Sequence, residues 1–254
     1  MKQAGKTTGN ETGPSPRGIA IQGFEGSFHQ VAAEQFFGRE TAVVCCSSFR
    51  ELVKKAADKK ATDAAVMAIE NSIAGSILPN YNLLQKSDLK IIGEVYLQIK
   101  QHLLVNPGVK LEDIREVHSH PMAILQCIGY LEKFNWKLVE TEDTALSAKQ
   151  VHQHRSRHIA AIASRLSAEL FDLEVLAPNI HTEKNNYTRF LVLKRAADVP
   201  EISGANKASI SFSTNHTRGS LAKVLSVIAG QGINLSKLQS FPQPGSDWKY
   251  YFHA

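Results

Sequence analysis

From Gly18 onward, short apolar runs alternate with stretches whose apolar residues recur at helical spacing, and no other feature restricts the fold as tightly. Ile19–Gln22 reads as a strand, Gly23-Phe-Glu-Gly26 as a turn, and Phe28–Phe37 as a helix carrying Val31, Ala32, Phe36 and Phe37 at its apolar positions. The same pattern predicts strands at Ala42–Cys45, Ala64–Ile69, Ile91–Ile99, Gln101–Val105, Glu116–His118, Ile159–Ala163 and Thr188–Leu193. It predicts helices at Phe49–Lys59, Met122–Phe134, Ala145–His154 and Arg165–Phe171. Strands separated by helices imply parallel or mixed sheets covered on both faces, an α/β fold.

The pattern breaks twice. Residues 1–17 are polar, rich in Gly, Thr, Ser and Lys, and read as a flexible leader. Ala196–Asn206 is a polar stretch with Pro and Gly that reads as a linker. The body between them, residues 18–196, is expected to be one large domain, and residues 206–254 a small one. In the small domain Lys207–Ser213 alternates like a half-buried strand, Gly219–Ala229 reads as a helix stopped by Gly230 and Gly232, Ile233–Gln239 as a strand, and Trp248–Phe252 as the start of another.

Composition narrows the function classes. At 254 residues and 43% hydrophobic the chain can bury a real core. Its longest apolar runs are far short of the ~18 residues of a membrane span, and the first residues hold no apolar secretory core, so a cytoplasmic, non-membrane protein is expected. Cys45, Cys46 and Cys127 form no readable disulfide framework. The net charge of +5, from 29 basic and 24 acidic residues, is spread without a basic arm, which argues against nucleic acid and suits a small acidic metabolite.

Several patterns have plain structural readings. Gly23-x-x-Gly26 lacks the Gly-Lys-Ser/Thr of a phosphate loop and the third glycine of a dinucleotide fingerprint. Of His152, His154 and His158 only the last two share a helical face, and Arg155 and Arg157 beside them repel a cation, so no metal site is expected. Three segments say more. Glu70, Asn71 and Ser72 fall at the carboxyl end of an apolar strand, where α/β proteins bind ligands. Ser119 precedes Pro121 at a helix start, with Gln126 further along, and the serine reads equally as a cap. Thr188 and Arg189 open another apolar strand and offer one hydroxyl and one two-point carboxylate clamp.

Together with the Gly-x-x-Gly-Ser-Phe start, Ile69-Glu-Asn-Ser72, Ser119-His-Pro121, Gln126, Asp143-Thr-Ala145, Ala160–Ser164 and Thr188-Arg-Phe190 stand in the order of the prephenate dehydratase family, which the chain closely resembles from about Ile19 to its end. The resemblance implies two α/β lobes similar to periplasmic binding proteins, the second over about residues 101–178, crossover strands near Ile99–Leu103 and Pro178–Thr188, and an active site in the cleft between. It implies cofactor-free conversion of prephenate to phenylpyruvate for phenylalanine synthesis, driven by aromatisation. Catalytic roles then fall to Thr188, Glu70, Asn71, Ser119 and Gln126, with Thr188 the acid that assists the leaving hydroxyl and Glu70 either orienting the network or supplying its proton. Ser27, Ser72, Arg189 and Phe190 are expected to bind substrate, Arg189 through a carboxylate.

The end of the chain resembles the first strand–helix–strand of an ACT domain, a ferredoxin-like α+β module that senses phenylalanine in this family. That likeness assigns Gly219, Ser220, Leu221, Asn234, Leu235, Gln239 and Ser240 to an allosteric site for L-phenylalanine and implies a homodimer or homotetramer. Departures are Ser27 for the family's frequent Thr, Met122 for Gln, and Gln239-Ser-Phe-Pro242 for Glu-Ser-Arg-Pro. The chain stops where the family has a further helix and strand, so weak phenylalanine control is expected. The competing readings are arogenate dehydratase and a non-catalytic small-molecule or amino-acid-binding protein.

Overall fold

The computed structural model describes residues 17–199, 201, 204–243, 245 and 249–254; the leader up to residue 16, Trp248 and part of the linker lie outside them. The chain divides into two compact units, Met1–Val199 and Pro200–Ala254.

In the first unit the elements run β1 (Ile19–Gln22), α1 (Phe28–Phe37), β2 (Val43–Cys46), α2 (Phe49–Ala57), β3 (Ala64–Asn71), β4 (Gly75–Ser76), α3 (Leu78–Gln85) and β5 (Leu89–Gln98). They continue with β6 (His102–Val105), β7 (Glu116–Ser119), α4 (Pro121–Gln126), α5 (Ile128–Leu131), β8 (Lys137–Glu140), α6 (Thr144–His154), β9 (Ile159–Ala163), α7 (Arg165–Leu170), β10 (Glu174–Ala177) and β11 (Tyr187–Arg195). Short polar side chains start the helices: Ser48 accepts the Glu51 amide, Asp143 those of Ala145 and Leu146, and Ser164 that of Ser167.

Two mixed sheets result, as the alternation implies. The first has the order β2-β1-β3-β11-β5, with β4 beside β3; β1 runs parallel to β2 and β3, while β11 is antiparallel to both its neighbours. The second has the order β10-β6-β9-β7-β8. The chain thus leaves the first sheet after β5, builds the second, and returns as β11 into the middle of the first. Phe190–Leu193 is an uninterrupted apolar run because that central strand is covered on both faces. Separate cores form around Ile21, Val66, Phe190 and Val192 and around Leu103, Val117, Ile124 and Ile162.

The pattern did not show α3, β8 or β10, and the helix expected over Met122–Phe134 is broken in two. The carbonyl of Gln126 accepts the Thr182 amide at 2.7 Å instead of continuing the helical ladder, and the Thr182 hydroxyl takes the Gly129 amide at 3.3 Å. A partner more than fifty residues downstream leaves no periodic trace.

His102, at the start of β6, is buried, accepts the Asn179 amide through Nδ1 at 3.3 Å, and is held by burial at about 4. A lowered folded-state value means the unfolded chain binds the proton first, so stability is intact above pH ~6.5 and is lost as the pH falls toward 4, at roughly 1.4 kcal/mol per pH unit at most. We expect the midpoint of thermal melting to fall over that window, and to fall less in His102→Asn, which keeps an acceptor but has no proton to gain; equal slopes assign the acid sensitivity elsewhere.

The second unit holds β12 (Ser211–Ser213), α8 (Ser220–Gly230), β13 (Gln239–Pro242) and β14 (Tyr250–His253) in an antiparallel sheet of order β12-β14-β13. The strand expected at Ile233–Gln239 is not there: the chain turns after α8, and pairing begins only at Gln239, opposite His253. Among the described residues no helix is long and apolar enough to cross a membrane.

Candidate active site

β3 outruns its neighbour β1. Parallel pairing stops at Ile21 and Val66, whereas β11 follows β3 to its end, with Thr188 opposite Asn71 and Arg189 opposite Glu70. The register shifts between Arg189 and Phe190, leaving Ile69 as an extra residue on β3, a bulge of the kind that re-aims the side chains beyond it. Side chains close the edge that β1 leaves bare. His29 Nε2 accepts the Ala68 amide at 3.3 Å, and Asn80 Nδ2 donates to the Ala68 carbonyl at 2.7 Å. Burial holds the His29 imidazole at about 3, so it is neutral and has a lone pair to accept with. Phe190 meets it edge-on at 5.0 Å.

Directly opposed residues of a ladder share a face. Asn71 and Thr188 therefore lie on one face, Glu70 and Arg189 on the other. The first pair is in contact: Asn71 Nδ2 donates to Thr188 Oγ1 at 3.0 Å, to Asn186 Oδ1 at 2.7 Å and to the Tyr187 carbonyl at 3.2 Å. Asn71 Oδ1 accepts the amides of Ile73 and Ala74 at 3.0 and 2.9 Å. A backbone N–H only donates, so those two bonds decide which end of the Asn71 amide is oxygen. Its nitrogen must then face Thr188, whose oxygen is the acceptor. The hydrogen of the Thr188 hydroxyl has no acceptor among the described residues and is free for a ligand.

Arg189 is not free in this way. Its Nε and Nη2 both donate to Glu94 Oε2 at 2.7 Å, and its guanidinium lies 5.8 Å from the centre of the Tyr96 ring. The carboxylate it clamps in this structure is Glu94, and alternation along β11 turns Arg189 to the face opposite Thr188. Glu70, on the same face as Arg189, receives the Ser76 hydroxyl at 3.5 Å.

Three other expected substrate contacts are occupied by structural work. Ser27 is buried and caps α1, accepting the Gln30 amide at 3.4 Å. Phe190 is buried in the core behind Thr188. The Ser72 hydroxyl donates to the Asn185 carbonyl at 3.1 Å and accepts the Tyr187 amide at 2.9 Å, pinning the start of β11.

Ser119, at the end of β7, is fully buried and donates to the Ile162 carbonyl of β9 at 2.7 Å. Gln126 accepts from Gln101 Nε2 at 3.4 Å. Both belong to the second sheet's side of the unit, and among the described residues no hydrogen bond joins either to Asn71 or Thr188. The two sides meet at the Gly23–Gly26 turn, where the Gly26 carbonyl accepts from the Ser164 and Ser167 hydroxyls at 2.6 and 3.0 Å. A Cβ on Gly26 would stand 2.7 Å from Ser167 Oγ, and its φ of +86° is one that glycine adopts freely, so both reasons require glycine there.

Of the residues expected to sense an amino acid, Gly219 has φ +78° ahead of α8, the Ser220 hydroxyl lies 2.6 Å from that of Thr217, and Leu221 is half-buried. Asn234 and Leu235 fall in the irregular segment between α8 and β13, and Gln239 Nε2 donates to the Ser240 carbonyl at 3.2 Å within β13. Sequence reasoning missed His29, Asn80, Gln101 and Asn186. The Asn185-Asn186 pair just before the strand was the one legible signal.

The prephenate dehydratase family model matches residues 19–198. The chain belongs to the prephenate dehydratase family. It is 40% identical over 225 residues, 89% of its length and 57% of the relative's, to arogenate dehydratase/prephenate dehydratase 1, chloroplastic, of Arabidopsis thaliana. It is 36% identical over 239 residues, 92% of its length and 62% of the relative's, to the bifunctional chorismate mutase/prephenate dehydratase of Enterobacter agglomerans. The chain therefore spans about three fifths of these relatives. The fold is similar to a prephenate dehydratase of Arthrobacter aurescens in complex with L-Phe, with TM-score 0.81 and 28% identity over 92% of this chain and 78% of that one. It is equally similar to GqqA, described as a novel type of quorum quenching acylase, with TM-score 0.82 and 31% identity over 92% of this chain and 85% of that one.

Proposed function

We propose that this chain catalyses the decarboxylating dehydration of prephenate to phenylpyruvate. The observation that carries the reading is the polarity of the Asn71–Thr188 contact, which uses the Thr188 oxygen as acceptor and leaves its hydroxyl hydrogen available to a ligand. In the reaction the bond from the ring to its carboxylate breaks, carbon dioxide leaves, and its electron pair makes the ring aromatic as the ring hydroxyl departs. That hydroxyl needs a hydrogen to leave as water. Thr188 supplies it as a strong hydrogen bond or relayed proton; a threonine hydroxyl is too weak an acid to give up its proton unassisted, so the proton is replaced through the surrounding network. Aromatisation provides the driving force, and no electron sink is needed.

In this reading Asn71 orients Thr188, and Gln126, tethered to Gln101, completes the site from the second sheet with Ser119 setting its local backbone. Glu70 and Arg189 hold the strand ends from the opposite face. Arogenate differs from prephenate by an amino group in place of the side-chain ketone, away from the departing hydroxyl, and is the second candidate substrate. Purified chain incubated with each compound decides: phenylpyruvate from prephenate is the expected result, phenylalanine from arogenate alone reassigns the substrate, and no consumption of either overturns the reading.

The second unit we read as the amino-acid-sensing part, with L-phenylalanine as effector and a homodimer or homotetramer as the assembly. Its sheet order of first, third and second strand with a helix between the first two, and the L-Phe held by the Arthrobacter relative, support this. Calorimetric titration with L-phenylalanine tests it; no heat at millimolar ligand would count against it.

A further inference from the structure

Asn186 is fully buried immediately before β11, and its carbonyl accepts the Ile99 amide at 2.8 Å. Its side-chain oxygen accepts from Asn71 Nδ2 at 2.7 Å. The orientation of Asn71 is set by the backbone amides of Ile73 and Ala74, so the direction of donation passes along the chain of amides: Asn71 must present nitrogen, and Asn186 must answer with oxygen. The other end of Asn186 is then an N–H donor without ambiguity. Among the described residues that Nδ2 has no partner. A buried donor left unmade costs about 1–3 kcal/mol, and such a group calls for an explanation, a catalytic role or a bound water or ion among them. Asn71 therefore connects two donors with nothing to donate to, the Thr188 hydroxyl and the Asn186 amide.

We propose that Asn186 Nδ2 is a second hydrogen-bond donor of the active site, acting with Thr188 on the oxygen that leaves the ring. This rests on the dehydratase reading above. As the carbon–oxygen bond breaks, negative charge gathers on that oxygen; Thr188 provides the hydrogen that becomes part of water, while Asn186 transfers no proton and stabilises the charge as a fixed dipole. Such a donor acts in the transition state far more than in the bound substrate. The side chains that the network sets beside Asn186, Asn71 and Thr188, are uncharged.

Asn186→Asp separates this from a role in merely holding Asn71. The carboxylate keeps an oxygen for Asn71 and loses the donor. Turnover of prephenate at neutral pH is expected to fall about 10²-fold relative to wild type with the Michaelis constant changed only a few-fold. The rate of the variant should then climb as the pH is lowered, because a protonated carboxyl presents an O–H where the amide had its N–H; wild type has no such recovery. A variant within about threefold of wild type at neutral pH, with no rise toward acid, overturns the proposal. Should the variant not fold, ¹⁵N-edited spectra of the wild-type chain titrated with 4-hydroxyphenylpyruvate, which keeps an oxygen at the ring position that departs, decide: the Asn186 side-chain amide resonance is expected to shift, and an unmoved resonance at saturation overturns the proposal. A wild-type chain that consumes neither prephenate nor arogenate fails the activity reading instead, and the resonance alone then judges the donor.

Discussion

Thr188→Ala is expected to lower turnover of prephenate by about 10²-fold or more while changing the Michaelis constant little, since a group that assists the departing hydroxyl contributes mainly in the transition state. Thr188→Ser should retain more of the rate. The pairing of Thr188 with Asn71 makes the comparison sharp: serine keeps an oxygen to accept the Asn71 amide and a hydrogen to donate, whereas alanine leaves Asn71 one acceptor short at 3.0 Å. Loss in both variants points to a disturbed β11, and loss in alanine with recovery in serine isolates the hydroxyl. If Thr188→Ala, folded as judged by circular dichroism, turns over within about threefold of wild type, well short of the effect of a lost general acid, Thr188 is not the donor.

Arg189→Met should act on stability. It takes from Glu94 two 2.7 Å bonds that the guanidinium donates to one carboxylate oxygen, with both side chains less than one-fifth exposed. Removing one partner of a fully buried pair costs ~3–5 kcal/mol, and with partial solvent access about 1–3 kcal/mol is expected, a fall of roughly 5 °C in the melting midpoint. Adding Glu94→Gln should recover part of it by removing the charge that has lost its guanidinium. The Michaelis constant for prephenate should stay within a few-fold. A folded Arg189→Met variant with an unchanged melting midpoint and a Michaelis constant raised tenfold or more would return Arg189 to the role of carboxylate clamp.

Much of the site was visible as residue types at strand ends. Asn71 and Thr188 stand where apolar runs stop, and the structure places them opposite one another. Gln126 and Ser119 were readable as polar groups around Pro121, yet the broken helix that orients Gln126 was not, because the interrupting partner is Thr182. Arg189 shows the opposite limit. Its position next to Thr188 in sequence suggested a shared role, while strand alternation sends neighbours to opposite faces, and only the location of Glu94 on β5 reveals what the guanidinium binds.

The sequence by itself determined the α/β class, the starts of α1, α2 and α7 and the family to which the chain belongs, since hydrophobic periodicity, caps and ordered motifs are local and are written in neighbouring residues. The tertiary structure alone decided that β11 returns between β3 and β5, that a bulge at Ile69 lies beneath Asn71, and that His29 and Asn80 complete the edge β1 abandons. It also decided the direction of each hydrogen bond from Ile73 and Ala74 through Asn71 to Thr188 and Asn186. The physical reason is that an amide has two unlike ends, and which end faces the Thr188 hydroxyl depends on partners more than a hundred residues apart.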